Sequence, residues 1–135
     1  MHTFTPPIRS VHRFVSTRLV PWLLILAGGF LGSIARFIIG EWSSLLTGTL
    51  FVNTAGSVFM GIFMYESIWL GRFSRQTRLL WGMGFLGAFT TFSSLAVIAA
   101  ELPPALGLGY FLVTVACGIM GIFAGRHIIL YQRGI

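Results

Sequence analysis

Charge is scarce in this chain: only 9% of its 135 residues are Asp, Glu, Lys or Arg, against 56% hydrophobic. So little polar surface cannot coat a water-soluble globule of this size, which excludes a soluble domain. Acidic side chains are rarer still, just Glu41, Glu66 and Glu101, and each falls at the end of an apolar run. No Asp, Glu, Lys or His lies in the middle of such a run, His127 being near the chain's end, so proton-coupled exchange lacks the buried titratable group it needs. Intramembrane hydrolysis is excluded likewise, for want of a nucleophile paired with a buried base. The single cysteine, Cys117, permits neither an intrachain disulfide nor a cysteine metal cluster, and its place within an apolar run points to helix packing.

Long apolar runs are what the chain has instead. Four spans can be drawn, Pro21 to Gly40, Gly48 to Leu70, Leu79 to Ala100 and Gly109 to Leu130. Each is close to the ~20 residues a helix needs to cross ~30 Å of hydrocarbon. The expected fold is all-α, a four-transmembrane-helix membrane protein, with residues 1–20 as a basic leader and 21–135 as the membrane domain. The first run is of full span length, lacks an A-x-A-like exit and is followed by three others, so it reads as a span and not as a cleaved signal.

The net charge of +6 comes from arginines at span ends, where anionic head groups account for it without nucleic acid. Eight of the nine arginines fall on one side: Arg9, Arg13, Arg18, Arg72, Arg75, Arg78, Arg126 and Arg133. The positive-inside rule then predicts one orientation, with both termini in the cytoplasm. Arg36, the ninth, sits near the far end of the first span. Snorkelling to the interface and a structural or anion-attracting place at a pore mouth both fit it.

Polar residues within the spans form stripes. Thr49, Asn53, Ser57 and Gly61 recur every four residues along one helix face, and Tyr110, Thr114 and Gly118 repeat the spacing in the last span. Asn53 lies about five residues, or ~8 Å, inside its span, so its amide must find partners. Such seams suit either pore lining or contacts between helices, as do Gly28 with Gly32 and Gly121 with Gly125.

The third span needs more than glue. It reads Gly84-Phe85-Leu86-Gly87-Ala88-Phe89-Thr90-Thr91-Phe92-Ser93-Ser94-Leu95, which puts glycines and hydroxyls at mid-membrane. Glycine weakens a helix and threonine can hydrogen-bond the backbone, so a broken third helix with freed carbonyls is expected between Gly87 and Thr91. Freed carbonyls are hard oxygen ligands suited to a monovalent cation. A continuous helix with back-bonded hydroxyls is the alternative. Phe92 follows the Thr pair, and the positive edge of an aromatic ring can face a small anion without trapping it.

Three stretches together carry a resemblance: Gly28-Gly29-Phe30-Leu31-Gly32-Ser33-Ile34-Ala35-Arg36, Gly48-Thr49-Leu50-Phe51-Val52-Asn53-Thr54-Ala55-Gly56-Ser57, and the span-three run. They resemble the signatures of the CrcB/Fluc fluoride channels. The resemblance implies passive fluoride export, not an enzyme, from the plasma membrane of a prokaryotic cell, through an antiparallel dimer with a central structural sodium ion. It implies that Gly87 and Thr90 offer backbone carbonyls to the sodium. Asn53, Phe92, Ser93, Ser94, Tyr110 and Thr114 would belong to the fluoride path, and Arg36 matches the arginine of the family's first span. The sequence departs from the family where Leu95 replaces a second phenylalanine, Ile98 an acidic residue and Gly118 a hydroxyl. With the one-sided arginines, these departures predict a heterodimer with an oppositely inserted paralogue. The alternatives are a non-conducting partner subunit and, more distantly, a small-molecule exporter.

Overall fold

The structure is a computed structural model, and it describes residues 8–132 and 134, with side chains from residue 19 onward. Helix α1 runs Ile8–Trp42 and α2 Leu45–Met64, the latter continued by a π-helical turn, Tyr65–Trp69. The short α3, Arg75–Thr77, leads into a π-helical stretch, Arg78–Leu86, followed by α4, Gly87–Phe89. Helix α5, Phe92–Glu101, and the long α6, Pro104–Gln132, complete the chain. Four segments are long and apolar enough to cross a bilayer: Leu19–Trp42, Leu45–Trp69, Arg75–Glu101 and Pro104–Gln132. The four expected spans are therefore present, each longer by a few residues. Helix α1 opens at Ile8, inside the stretch expected to be a separate leader, while the side chains of Arg9, Arg13, Arg18 and Arg133 lie outside the described residues.

Three restarts of a helix after a short connection, those of α2, α3 and α5, carry a side-chain cap. Ser44 accepts from the Thr47 N–H at 3.2 Å, Ser74 from the Thr77 N–H at 3.1 Å and Thr91 from the Ser94 N–H at 3.2 Å. A hydroxyl in this position satisfies a first-turn donor that no helical carbonyl can reach. Between the second and third spans, Gly71 adopts φ +61°, a left-handed conformation that costs glycine nothing. It turns the chain so that the Arg72 N–H bonds the Glu66 carbonyl at 3.2 Å and the Arg72 guanidinium meets the Glu66 carboxylate at 3.6 Å.

Two glycine contacts assemble the bundle. A Cβ on Gly28 would strike the Leu80 carbonyl oxygen, and one on Gly84 would lie 2.8 Å from the Ile25 carbonyl oxygen, so α1 and the π-helical stretch touch backbone to backbone. A Cβ on Gly61 would strike the Ile122 carbonyl and one on Gly125 the Val58 carbonyl, which places α2 equally close to α6. Without a hydrophobic drive between helices in lipid, such close approach is what holds them. The small core consists of Val52, Leu86, Phe89, Leu95, Ile98 and Ile129. Most other large apolar side chains face outward, as helices in hydrocarbon require.

Candidate functional site

The third span departs from helical geometry at two residues. Thr90 has φ −78° and ψ 155°, and Thr91 has φ −145° and ψ 119°, both extended, between α4 and α5. Extended backbone in hydrocarbon must find partners for its N–H and C=O, because each unpaired group costs several kcal/mol. Asn53, reaching across from α2, supplies both for Thr91: its Nδ2 donates to the Thr91 carbonyl at 2.9 Å and its Oδ1 accepts from the Thr91 N–H at 2.8 Å.

These bonds redirect donors from a regular ladder. In an unbroken helix the Thr91 N–H would serve the Gly87 carbonyl and the Ser94 N–H the Thr90 carbonyl. Here the first goes to Asn53 and the second to the Thr91 hydroxyl. Gly87 is exposed, with open space where a Cβ would stand, and Thr90 is half-buried with its hydroxyl donating to the Leu86 carbonyl at 3.1 Å. Among the described residues there is no cluster of three or more His, Cys, Asp or Glu, and the oxygens gathered here are main-chain carbonyls, hydroxyls and the Asn53 amide.

Hydroxyls gather around Thr91, which is buried. Its Oγ1 lies 3.2 Å from Ser93 Oγ and donates to Ser94 Oγ at 3.1 Å. Phe92 begins α5 with its ring 67% exposed, standing edge to face with Phe111 of α6 at 6.0 Å between centroids and 84° between planes. A T-shaped pair sets the edge of one ring against the face of the other.

The α6 residues sit differently. Tyr110 donates its hydroxyl to the Leu46 carbonyl of α2 at 2.8 Å, and Thr114, 2% exposed, back-bonds to the Tyr110 carbonyl at 2.9 Å. Within one chain these two groups tie helices and backbone together. Asn53, Phe92, Ser93, Ser94, Gly87 and Thr90 thus converge on one interruption, whereas Tyr110 and Thr114 connect to each other. Arg36 is half-buried in the last turns of α1 and makes no ion pair among the described residues. Leu95 and Ile98, where the resemblance would place a ring and an acid, are 3% and 2% exposed. Their place in the core accounts for their apolar character.

Three residues were given no site role by sequence. Thr91, expected only as the end of the break, is the hydroxyl at the centre of the cluster, and a Thr directly before the α5 run is a legible cap signal. Phe111 gave no signal, being one of thirteen phenylalanines. Thr54 carries a buried hydroxyl with no hydrogen-bond partner among the described residues.

A family model described as "CrcB-like protein, Camphor Resistance (CrcB)" matches residues 23–126. The chain is 46% identical over 110 residues to "Fluoride-specific ion channel FluC 1" of Methanospirillum hungatei JF-1, covering 82% of this chain and 79% of that protein. It is 42% identical over 111 residues to "Fluoride-specific ion channel FluC 2" of Methanosarcina barkeri, covering 82% of this chain and 88% of that one. A second relative in the same organism, "Fluoride-specific ion channel FluC 3", is 46% identical over 77 residues, 53% of this chain and 58% of that protein.

Proposed function

The chain belongs to the CrcB/FluC family of fluoride-specific ion channels, a channel family and not an enzyme, and from that premise we propose that it is a subunit of a passive channel exporting F⁻ from the cytoplasm. The observation that carries the reading is the extended pair Thr90 and Thr91 in mid-span, bordered by the Ser93 and Ser94 hydroxyls and the exposed ring of Phe92. We read that pair as the functional break of the third helix. Fluoride holds its water tightly, so a pore must replace hydration with donors while its width excludes larger halides. Asn53, Ser93 and Ser94 supply amide and hydroxyl donors and Phe92 its positive rim, while Tyr110 and Thr114, whose hydroxyl protons are held by the Leu46 and Tyr110 carbonyls, border the path and would donate only by exchanging those bonds. None of these groups carries a formal charge that would trap the ion. External acid favours entry of neutral HF, which ionises inside, so a downhill leak of the anion suffices without ATP or proton coupling.

Gly87 and Thr90 fit a structural sodium ion, since both carbonyls have lost their usual helical donors and Gly87 faces open space. The ion would supply the positive partner that those neutral carbonyl dipoles lost with their hydrogen-bond donors. One chain offers few such ligands, which favours an antiparallel dimer sharing the ion across its axis. The second subunit is then an oppositely inserted paralogue, in keeping with the one-sided arginines and with two FluC relatives occurring in one organism. Arg36 takes a place at the pore mouth or supports it. The setting is the plasma membrane of a prokaryotic cell, with both termini cytoplasmic.

A fluoride electrode tests this on liposomes loaded with potassium fluoride. The chain purified together with its paralogue releases fluoride and retains chloride, while the chain alone does not; absence of fluoride release from the pair overturns the reading. The non-conducting-subunit alternative is separated by Phe92→Ile in this chain. A path through this subunit loses flux, whereas a silent subunit leaves the pair's flux unchanged.

A further inference from the structure

Asn53 bonds the N–H and the C=O of one residue, 38 positions away, and it does so with both ends of its carboxamide. That two-point contact selects a residue type. The side chain must present one donor and one acceptor, coplanar and about a peptide's width apart, and it must carry no charge in hydrocarbon. Asparagine meets all three conditions at this reach. Aspartate keeps an acceptor for the Thr91 N–H but turns an anionic oxygen toward the Thr91 carbonyl. Leucine fills a similar volume and bonds neither group.

The competing arrangement lies within the third span itself. Freed from Asn53, the Thr91 N–H has the Gly87 carbonyl as its nearest regular acceptor, and making that bond closes the helix over residues 87–91. Closure would also bring the Ser94 N–H back toward the Thr90 carbonyl and away from the Thr91 hydroxyl. One side chain on α2 therefore competes with two helical bonds in the third span, and the winner decides whether the Gly87 and Thr90 oxygens are free.

We propose that Asn53 is a positioning residue that clamps the Thr91 peptide in its extended form and so holds the interruption of the third span open, in addition to lining the path. The inference deepens the channel reading and rests on it for its functional consequence. Oδ1 and one N–H of Nδ2 are committed to Thr91. That commitment fixes which way the amide faces, and the second N–H is the one donor left to offer an anion.

The test is solid-state NMR of the assembled channel in bilayers, with threonine labelled with carbon-13, run beside fluoride efflux. Threonine Cα and Cβ shifts distinguish extended from helical torsions directly. In the native channel Thr90 and Thr91 give extended shifts. In Asn53→Leu both move to helical values, in Asn53→Asp the Thr91 signals broaden or split between the two, and efflux falls at least tenfold in each. Where Asn53→Leu does not fold, Asn53→Ser serves, being small enough to spare the packing and too short to reach both groups. Extended shifts retained in all variants overturn the proposal, and a flux loss with those shifts intact assigns Asn53 to ion contact alone. Helical shifts with unchanged efflux uphold the clamp and overturn the channel path through this interruption instead.

Discussion

Thr91 and Thr54 are both threonines in mid-membrane, yet their hydroxyls stand in opposite circumstances. The Thr91 hydroxyl caps α5 and bonds Ser93 and Ser94, whereas the Thr54 hydroxyl is buried without a partner among the described residues. The same change, to valine, should therefore have opposite signs. Thr91→Val removes a cap and leaves the Ser94 N–H unsatisfied, a loss of about 1–2 kcal/mol, and Thr91→Ser restores most of it. Thr54→Val deletes a desolvated hydroxyl that gains nothing, so stability should hold or rise by up to about 1 kcal/mol. Unfolding titrations in mixed detergent micelles read both, and a Thr54→Val variant as unstable as Thr91→Val would mean that its hydroxyl binds something. Sequence made the polar residues of this cluster visible because hydroxyls and amides are rare in hydrocarbon. It could not say which were paired, since Asn53 meets Thr91 through a contact between helices that no local spacing encodes.

The packing of the elements is set by glycine placement more than by apolar patterning, since apolar side chains occur around most of the circumference of a membrane helix. Gly28, Gly32, Gly121 and Gly125, legible in the sequence as small residues at four-residue spacing, do sit at close helix contacts. Which helix each would face was not legible, because a glycine stripe carries no label for its partner. The π-helical stretch Arg78–Leu86 was also hidden, as no residue type marks that widening. Two glycines of α6 give the packing claim a direct check. A Cβ at Gly125 would strike the Val58 carbonyl and lie 2.9 Å from the Ile62 N, so Gly125→Ala must push α2 from α6 at a cost of about 1–3 kcal/mol. At Gly109 a Cβ meets nothing within 4 Å, and Gly109→Ala should stabilise the helix by about 0.5–1 kcal/mol. Thermal unfolding of the two variants in one detergent should move in opposite directions. Equal shifts would mean that the α2 and α6 backbones are not in contact.

At the scale of the whole molecule, the distribution of arginine decides what the chain can assemble with. Short connections join the four spans, so they alternate in direction and the first and last ends share one side. That side holds eight arginines and the other holds only Arg36. The Arg72 charge is partly offset by Glu66 at 3.6 Å, which leaves Arg9, Arg13, Arg18, Arg75, Arg78, Arg126 and Arg133 as the remaining positive charges of that side. On the proposed topology each arginine held on the cytoplasmic side would bias insertion, and their sum would make two copies of this chain parallel. A two-fold antiparallel pair needs copies inserted both ways, so a strongly biased chain cannot supply it alone. Paired reporter fusions at the C-terminus, one active only inside the cell and one only outside, measure this directly. The native chain should light only the inside reporter, whereas replacing Arg9, Arg13, Arg18, Arg75 and Arg78 by serine should divide the population between both. If the native chain already lights both reporters, the argument for an oppositely inserted paralogue is lost, and a pair of identical chains becomes the assembly that the fold must be made to fit.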